Sequence, residues 1–162
     1  MAEIPADDFY TIAKEFAVKC DWFNGDEEFL KKISYHMQSR TKLVTQVDTW
    51  AYYFTEGVEQ LEENAKEVRK TLQKEGMAVN LISIANALES VTEFTAENIE
   101  EAIMNASEEC GAGRGRLNKP IRMAATAMTG GAELFPTLEF IGKDRVIARL
   151  KTAAERDCQT AE

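Results

Sequence analysis

Apolar residues recur at three- and four-residue intervals along almost the whole chain, a pattern that predicts one helix after another. Ala6–Cys20 sets Phe9, Ile12, Ala13, Phe16 and Ala17 on one face. Pro5 and the acids Asp7 and Asp8 suit its start: proline has a pre-set φ, and carboxylates complement the positive end of the helix dipole. Asn24–Gly25 breaks the chain. Asp26–Gln38 then aligns Phe29, Leu30, Ile33 and Met37, and Leu43–Phe54 aligns Val44, Val47, Ala51 and Phe54 with Trp50, Tyr52 and Tyr53 alongside.

The second part of the pattern begins after Gly57. Leu61–Glu75 is a charged helix with a narrow stripe through Leu61, Ala65, Val68 and Leu72, stopped by Gly76. Val79–Glu89 is apolar and rich in small residues. Thr95 is an N-cap candidate for a helix to about Glu109, ended by Gly111. Pro120 permits a helix at Ile121–Met128, closed by Gly130–Gly131. Phe135–Ile141 and Lys143–Glu155 follow around Gly142, and Arg156–Glu162 should fray. No stretch alternates with a period of two, and there is no internal repeat. The expectation is an all-α protein, a helical bundle of two packed units, residues 1–56 and 57–162.

Composition narrows the picture. The chain has 162 residues, 44% hydrophobic and 29% charged, with only 3 prolines and 9 glycines, which favours helices over a loop-rich fold. No apolar run reaches membrane-spanning length, and MAEIPADDF lacks the features of a signal peptide, so a cytosolic, membrane-free protein is expected. Cys20, Cys110 and Cys158 are far apart, and His36 is the single histidine. Neither a zinc site nor a disulfide framework is expected, and no metal or other cofactor.

Charge changes the picture more. The chain carries a net −9, yet eight of its 19 Lys and Arg fall within Gly111–Lys151, against three acids. A basic segment in an acidic protein points to a polyanion met by one surface. Arg114, Arg116, Lys119, Arg122, Arg145 and Arg149 are expected to form that face. The glycines of Gly111–Arg116 do not follow a strand, so they read as a helix stop and turn rather than a nucleotide loop. Its arginines either meet phosphates or lie in a solvated turn. Arg40 falls where a helix should stop. It either extends its planar fork to a base edge or neutralises the helix C-terminus. Tyr35, Trp50, Tyr52, Tyr53 and Phe54 are either core or a stacking platform. Along Glu59–Glu75, Glu–Lys pairs at helical spacing are ordinary surface support, and no catalytic set accompanies His36.

Three pieces of the chain, in order, carry a resemblance: LKKISYHMQSRTKLVTQVDTWAYYFTE, VTEFTAENIEEAIMNASEECGAGRGRLNKPIRMAATAMTGG and FPTLEFIGKDRVIARLKTA. They resemble the helical anticodon-binding region at the C-terminus of bacterial glutamyl-tRNA synthetases, a cage shared with class I lysyl-tRNA synthetases. The resemblance implies that each unit is an anticodon-binding unit and that the partner is tRNA with a glutamate-type anticodon loop, not DNA. It implies that Arg40 reads the first anticodon base and that Arg122, in the PIR run, meets the later bases. Gly131, Ala132 and Leu134 would complete that pocket, and Arg114, Arg116 and Lys119 would contact the tRNA backbone. Two positions depart from the family pattern: Thr126–Ala127 replaces a usual Thr-Gly, and Gly131–Ala132 a usual Gly-Pro.

The HIGH-like and KMSKS-like nucleotide signatures of the catalytic part occur nowhere. The expected role is therefore non-catalytic, that of a specificity module working with the catalytic part of a synthetase, fused or separate. The alternative is a free-standing relative that serves as a protein-interaction or regulatory domain and reads no tRNA.

Overall fold

A computed structural model describes residues 4–56, 58, 62–113 and 115–157, and all regular structure among them is helical. By its contacts the chain divides into two compact units, Met1–Glu56 and Gly57–Glu162. Gly57, Leu61 and Arg114 lie outside the described residues, as do residues 158–162 of the expected frayed tail.

In the first unit, α1 (Ala6–Ala17) and α2 (Glu27–Met37) pack on each other, and α1 also packs on a 3-10 helix, Val44–Tyr53. Asp26 caps α2 by accepting from the Phe29 amide at 3.0 Å. Phe9, Ala13, Ala17, Leu30 and Ile33 are fully buried. The third element corrects the expected α-helical face. In a 3-10 helix, residues three apart eclipse, and Val47, Trp50 and Tyr53 are all completely buried. Three bulky side chains at that spacing fill the core where an α-helical turn would carry them past it.

In the second unit, α3 (Glu62–Leu72) buries Val68 and Leu72. The side chain of Ala65, also expected in its stripe, lies outside the described residues. Gly76, in the left-handed conformation at φ 77°, turns the chain into α4 (Met77–Glu89). This helix begins two residues before the expected Val79. It packs most extensively against α8 (Lys143–Thr152) and α5 (Ala96–Glu109) and fully buries Leu81, Ile84, Ala85 and Leu88. Each of the three larger side chains, Leu81, Ile84 and Leu88, contributes about 1.5–3 kcal/mol on burial, so α4 anchors this unit. Thr95 caps α5 as expected, accepting from the Asn98 amide at 3.3 Å. Between α5 and α8 lie α6 (Asn118–Thr126) and α7 (Leu134–Ile141). Pro120 sits in the first turn of α6, where its missing amide hydrogen costs nothing. A π-helical turn, Ala153–Asp157, ends the described chain.

Candidate nucleic-acid interface

Arg40 ends a single 3-10 turn, Gln38–Arg40, directly after α2. Its side chain is exposed and has no hydrogen-bond or ion-pair partner among the described residues. The turn beneath it is held from several sides. The buried Thr41 hydroxyl donates to the Met37 carbonyl at 2.8 Å, and Gln38 reaches the Ile4 carbonyl at 2.7 Å. The Gln46 side chain accepts from the amides of Lys42 and Leu43 at 2.7 and 2.9 Å. Thr41 and Gln46 therefore aim Arg40, though neither stood out in the sequence. The signals were there: a Thr hydroxyl can bond four residues back, and a Gln follows three residues after Leu43, where the next helix starts. Exposed Lys42 and Leu43, the latter 65% accessible, flank the arginine.

The aromatic residues divide. Trp50, Tyr52, Tyr53 and Phe54 are at most 6% exposed, so the platform reading fails for these four and they are core. Tyr35 is 43% exposed and belongs to a surface cluster. Its hydroxyl donates to the Asp7 carboxylate. Lys31 lies 3.6 Å from the same carboxylate and 5.8 Å from the ring centres of both Tyr10 and Tyr35. The Tyr35 hydrogen bond, aided by the Lys31 charge, holds Asp7 below the usual carboxylate range. His36 is half-buried, its ring edge-on to Tyr53.

In the second unit, Arg122 projects from the middle of α6 and is half-buried. Its Nη2 donates to the Ala132 carbonyl at 2.5 Å, which joins two of the expected pocket residues. The loop between them is shaped locally. Thr126 Oγ1 donates to the Arg122 carbonyl at 2.7 Å and accepts from the Met128 amide at 3.1 Å. Ala127 then ends α6 three residues before Gly130, in the left-handed conformation at φ 60°. Among the described residues it is the one non-glycine with positive φ, and it stands where the family pattern expects glycine. The left-handed form costs an L-residue roughly 1–2 kcal/mol, so the surroundings impose it. Gly131 is half-buried. Ala132 and Leu134 are buried at 3% and 8% exposure, so what they can offer a ligand is backbone rather than side chain.

Several members of the expected basic face are committed elsewhere. Arg149 is a correction: it is 4% exposed, and its Nη1 donates to the Ala125 carbonyl at 2.8 Å. Lys119 is exposed but paired with Glu67 at 2.9 Å. Lys143 donates to the carbonyls of Glu89 and Val91 at 2.9 and 2.7 Å, and Lys151 pairs with Glu89 at 2.7 Å. Arg145 is half-buried and engaged. Arg116, its side chain exposed and without a partner among the described residues, sits in a turn whose glycines 111, 113 and 115 all have positive φ. Much of the basic segment thus holds the second unit together, which charge counting cannot distinguish from a binding face. No helix among the described residues is long and apolar enough to cross a membrane.

Comparison with known proteins gives these side chains a context. The chain is 38% identical over 131 residues to glutamate–tRNA ligase 1 of Caldanaerobacter subterraneus, covering 80% of this chain and 27% of that protein. It is 35% identical over 127 residues to the glutamate–tRNA ligase of Bacillus subtilis, covering 78% and 26% respectively. It therefore spans about a quarter of the length of the relatives it matches. Among solved structures, a glutamate tRNA ligase from Elizabethkingia meningosepticum superimposes with a TM-score of 0.77 at 24% identity, covering 95% of this chain and 30% of that one. That likeness shows the fold, all-α as expected. The model of the anticodon binding domain matches residues 8–154, from the first turn of α1 to beyond the end of α8, and the chain belongs to that family.

Proposed function

We propose that this chain recognises the anticodon loop of a glutamate-type tRNA, as the C-terminal, non-catalytic part of a glutamyl-tRNA synthetase. The observation that carries the reading is Arg40, an exposed guanidinium with unengaged donors, aimed by a fixed turn at a helix end. Anticodon bases are unstacked and present their pairing edges, which a planar fork of donors can read. In this reading Arg40 takes the first base. Arg122, with the backbone of Gly131, Ala132 and Leu134, meets the later ones. Arg116 and Lys119 approach the tRNA backbone, and Arg114, outside the described residues, joins them by its place in the sequence. Phosphate contacts would orient the tRNA while base contacts discriminate among tRNAs. The module needs no metal or nucleotide of its own, and its partner is the catalytic part of a synthetase.

A second reading has one observation in its favour. With Arg149 buried and Lys119, Lys143 and Lys151 engaged within the unit, the basic segment of a chain of net −9 keeps few free cations for RNA among its described residues, which suits a protein-interaction domain. Competition binding separates the two. In low salt the first reading expects glutamate tRNA to displace a labelled glutamate tRNA more effectively than random RNA of equal length. Equal displacement by both, or no binding at all, would favour the second.

A further inference from the structure

We propose that Arg149 is a positioning residue for the Arg122 pocket. A buried guanidinium is costly unless its donors are used. Arg149, on α8, delivers one of them to the Ala125 carbonyl, in the last turn of α6, where helix carbonyls lack partners along the chain. That turn matters more than its size suggests. It lies one turn beyond Arg122 and is tied to it through Thr126 Oγ1. It immediately precedes left-handed Ala127, where the chain reverses so that the Ala132 carbonyl returns to Arg122. A nine-residue helix is marginal by itself, so external ties set where it ends. Arg149 fixes the point at which α6 stops, and so fixes the direction of Arg122 and the path of residues 127–134. It touches no base itself in this account.

The inference rests on the anticodon-reading proposal for its consequence but not for its geometry, and the experiment separates the two. Arg149→Met and Arg149→Lys are made in the full chain. The first arm uses no RNA: the Nε–Hε resonance of Arg122 and the amides of residues 128–134 are followed by nuclear magnetic resonance. Both should shift in the Met variant and shift less in the Lys variant, which keeps a charged donor group, while amides of α1 and α2 stay in place. If the Met variant loses its helical circular dichroism, the Lys variant decides. Unchanged Arg122 and loop resonances in a folded variant would overturn the proposal. The second arm measures binding to glutamate tRNA and to variants of each anticodon base. Preference at the later bases should fall about tenfold, with first-base preference and salt dependence retained. An equal loss at every base would reduce Arg149 to a general stabiliser and overturn its positioning role. If the parent chain shows no base preference, the anticodon proposal falls, and the resonance arm still decides the role of Arg149.

Discussion

Two arginines assigned the same task are held in opposite ways. Arg40 is exposed and without a partner among the described residues, on a turn that Thr41 and Gln46 fix beneath it. Arg122 is half-buried, and its guanidinium already holds the Ala132 carbonyl. In the proposed role, the difference offers two routes to recognition. A free arginine must lose up to about 1.5–2 kcal/mol of side-chain entropy when it engages a base, but the fold is indifferent to it. A tethered arginine is organised before the ligand arrives, and in exchange the fold depends on it.

Stability should expose that contrast most strongly. Arg122→Ala leaves a buried carbonyl without this donor, so urea denaturation should find the chain destabilised by about 1–3 kcal/mol. Arg40→Ala should stay within about 0.5 kcal/mol of the parent, as exposed substitutions do. Similar losses in both variants would erase the distinction. Salt dependence probes the same difference among the phosphate candidates. Arg116→Ala should lower the slope of log affinity against log salt by about 1 and weaken all tRNAs alike. Lys119→Ala should change it less, because Glu67 already neutralises that charge. A larger effect at Lys119 would reverse the assignment. The smallest effect concerns the cluster beneath Tyr35. Asp7 is depressed in the folded chain, so its contribution to stability is present above its unfolded pKa and is lost as pH falls through the lower folded value. Asp7→Asn should therefore lower the melting temperature slightly at neutral pH, with the gap closing in strong acid. A gap that persists unchanged in acid would mean that the Asp7 charge is not its source.

The helical periods and breaks in the sequence were enough to place most helices, including the cap at Thr95, because those signals are local. Where the sequence misled, the cause was non-local. Val47, Trp50 and Tyr53 recur at a three-residue period while Val44, Val47, Ala51 and Phe54 beside them fit an α-helical one, and the core chose the former. In the candidate site, the exposure of Arg40 was legible because a helix-ending arginine needs only its neighbours to become exposed. Arg149 was not: a cation in a basic stretch looks like surface until the fold places the Ala125 carbonyl within its reach. The same holds for Trp50, Tyr52, Tyr53 and Phe54, whose burial depends on α1 and on Phe29, His36 and Met37 of α2. Ala127 gave no warning from its own chemistry, since alanine seldom adopts the conformation it has here.

The central claim is that a free Arg40 reads the first anticodon base. A double-mutant cycle tests it most directly, using the parent chain and Arg40→Ala against glutamate tRNA and a variant altered at that base. The account predicts a coupling of about 1–3 kcal/mol, with the parent preferring the cognate base and the variant largely indifferent to it. Measurable binding with a coupling of zero would contradict it.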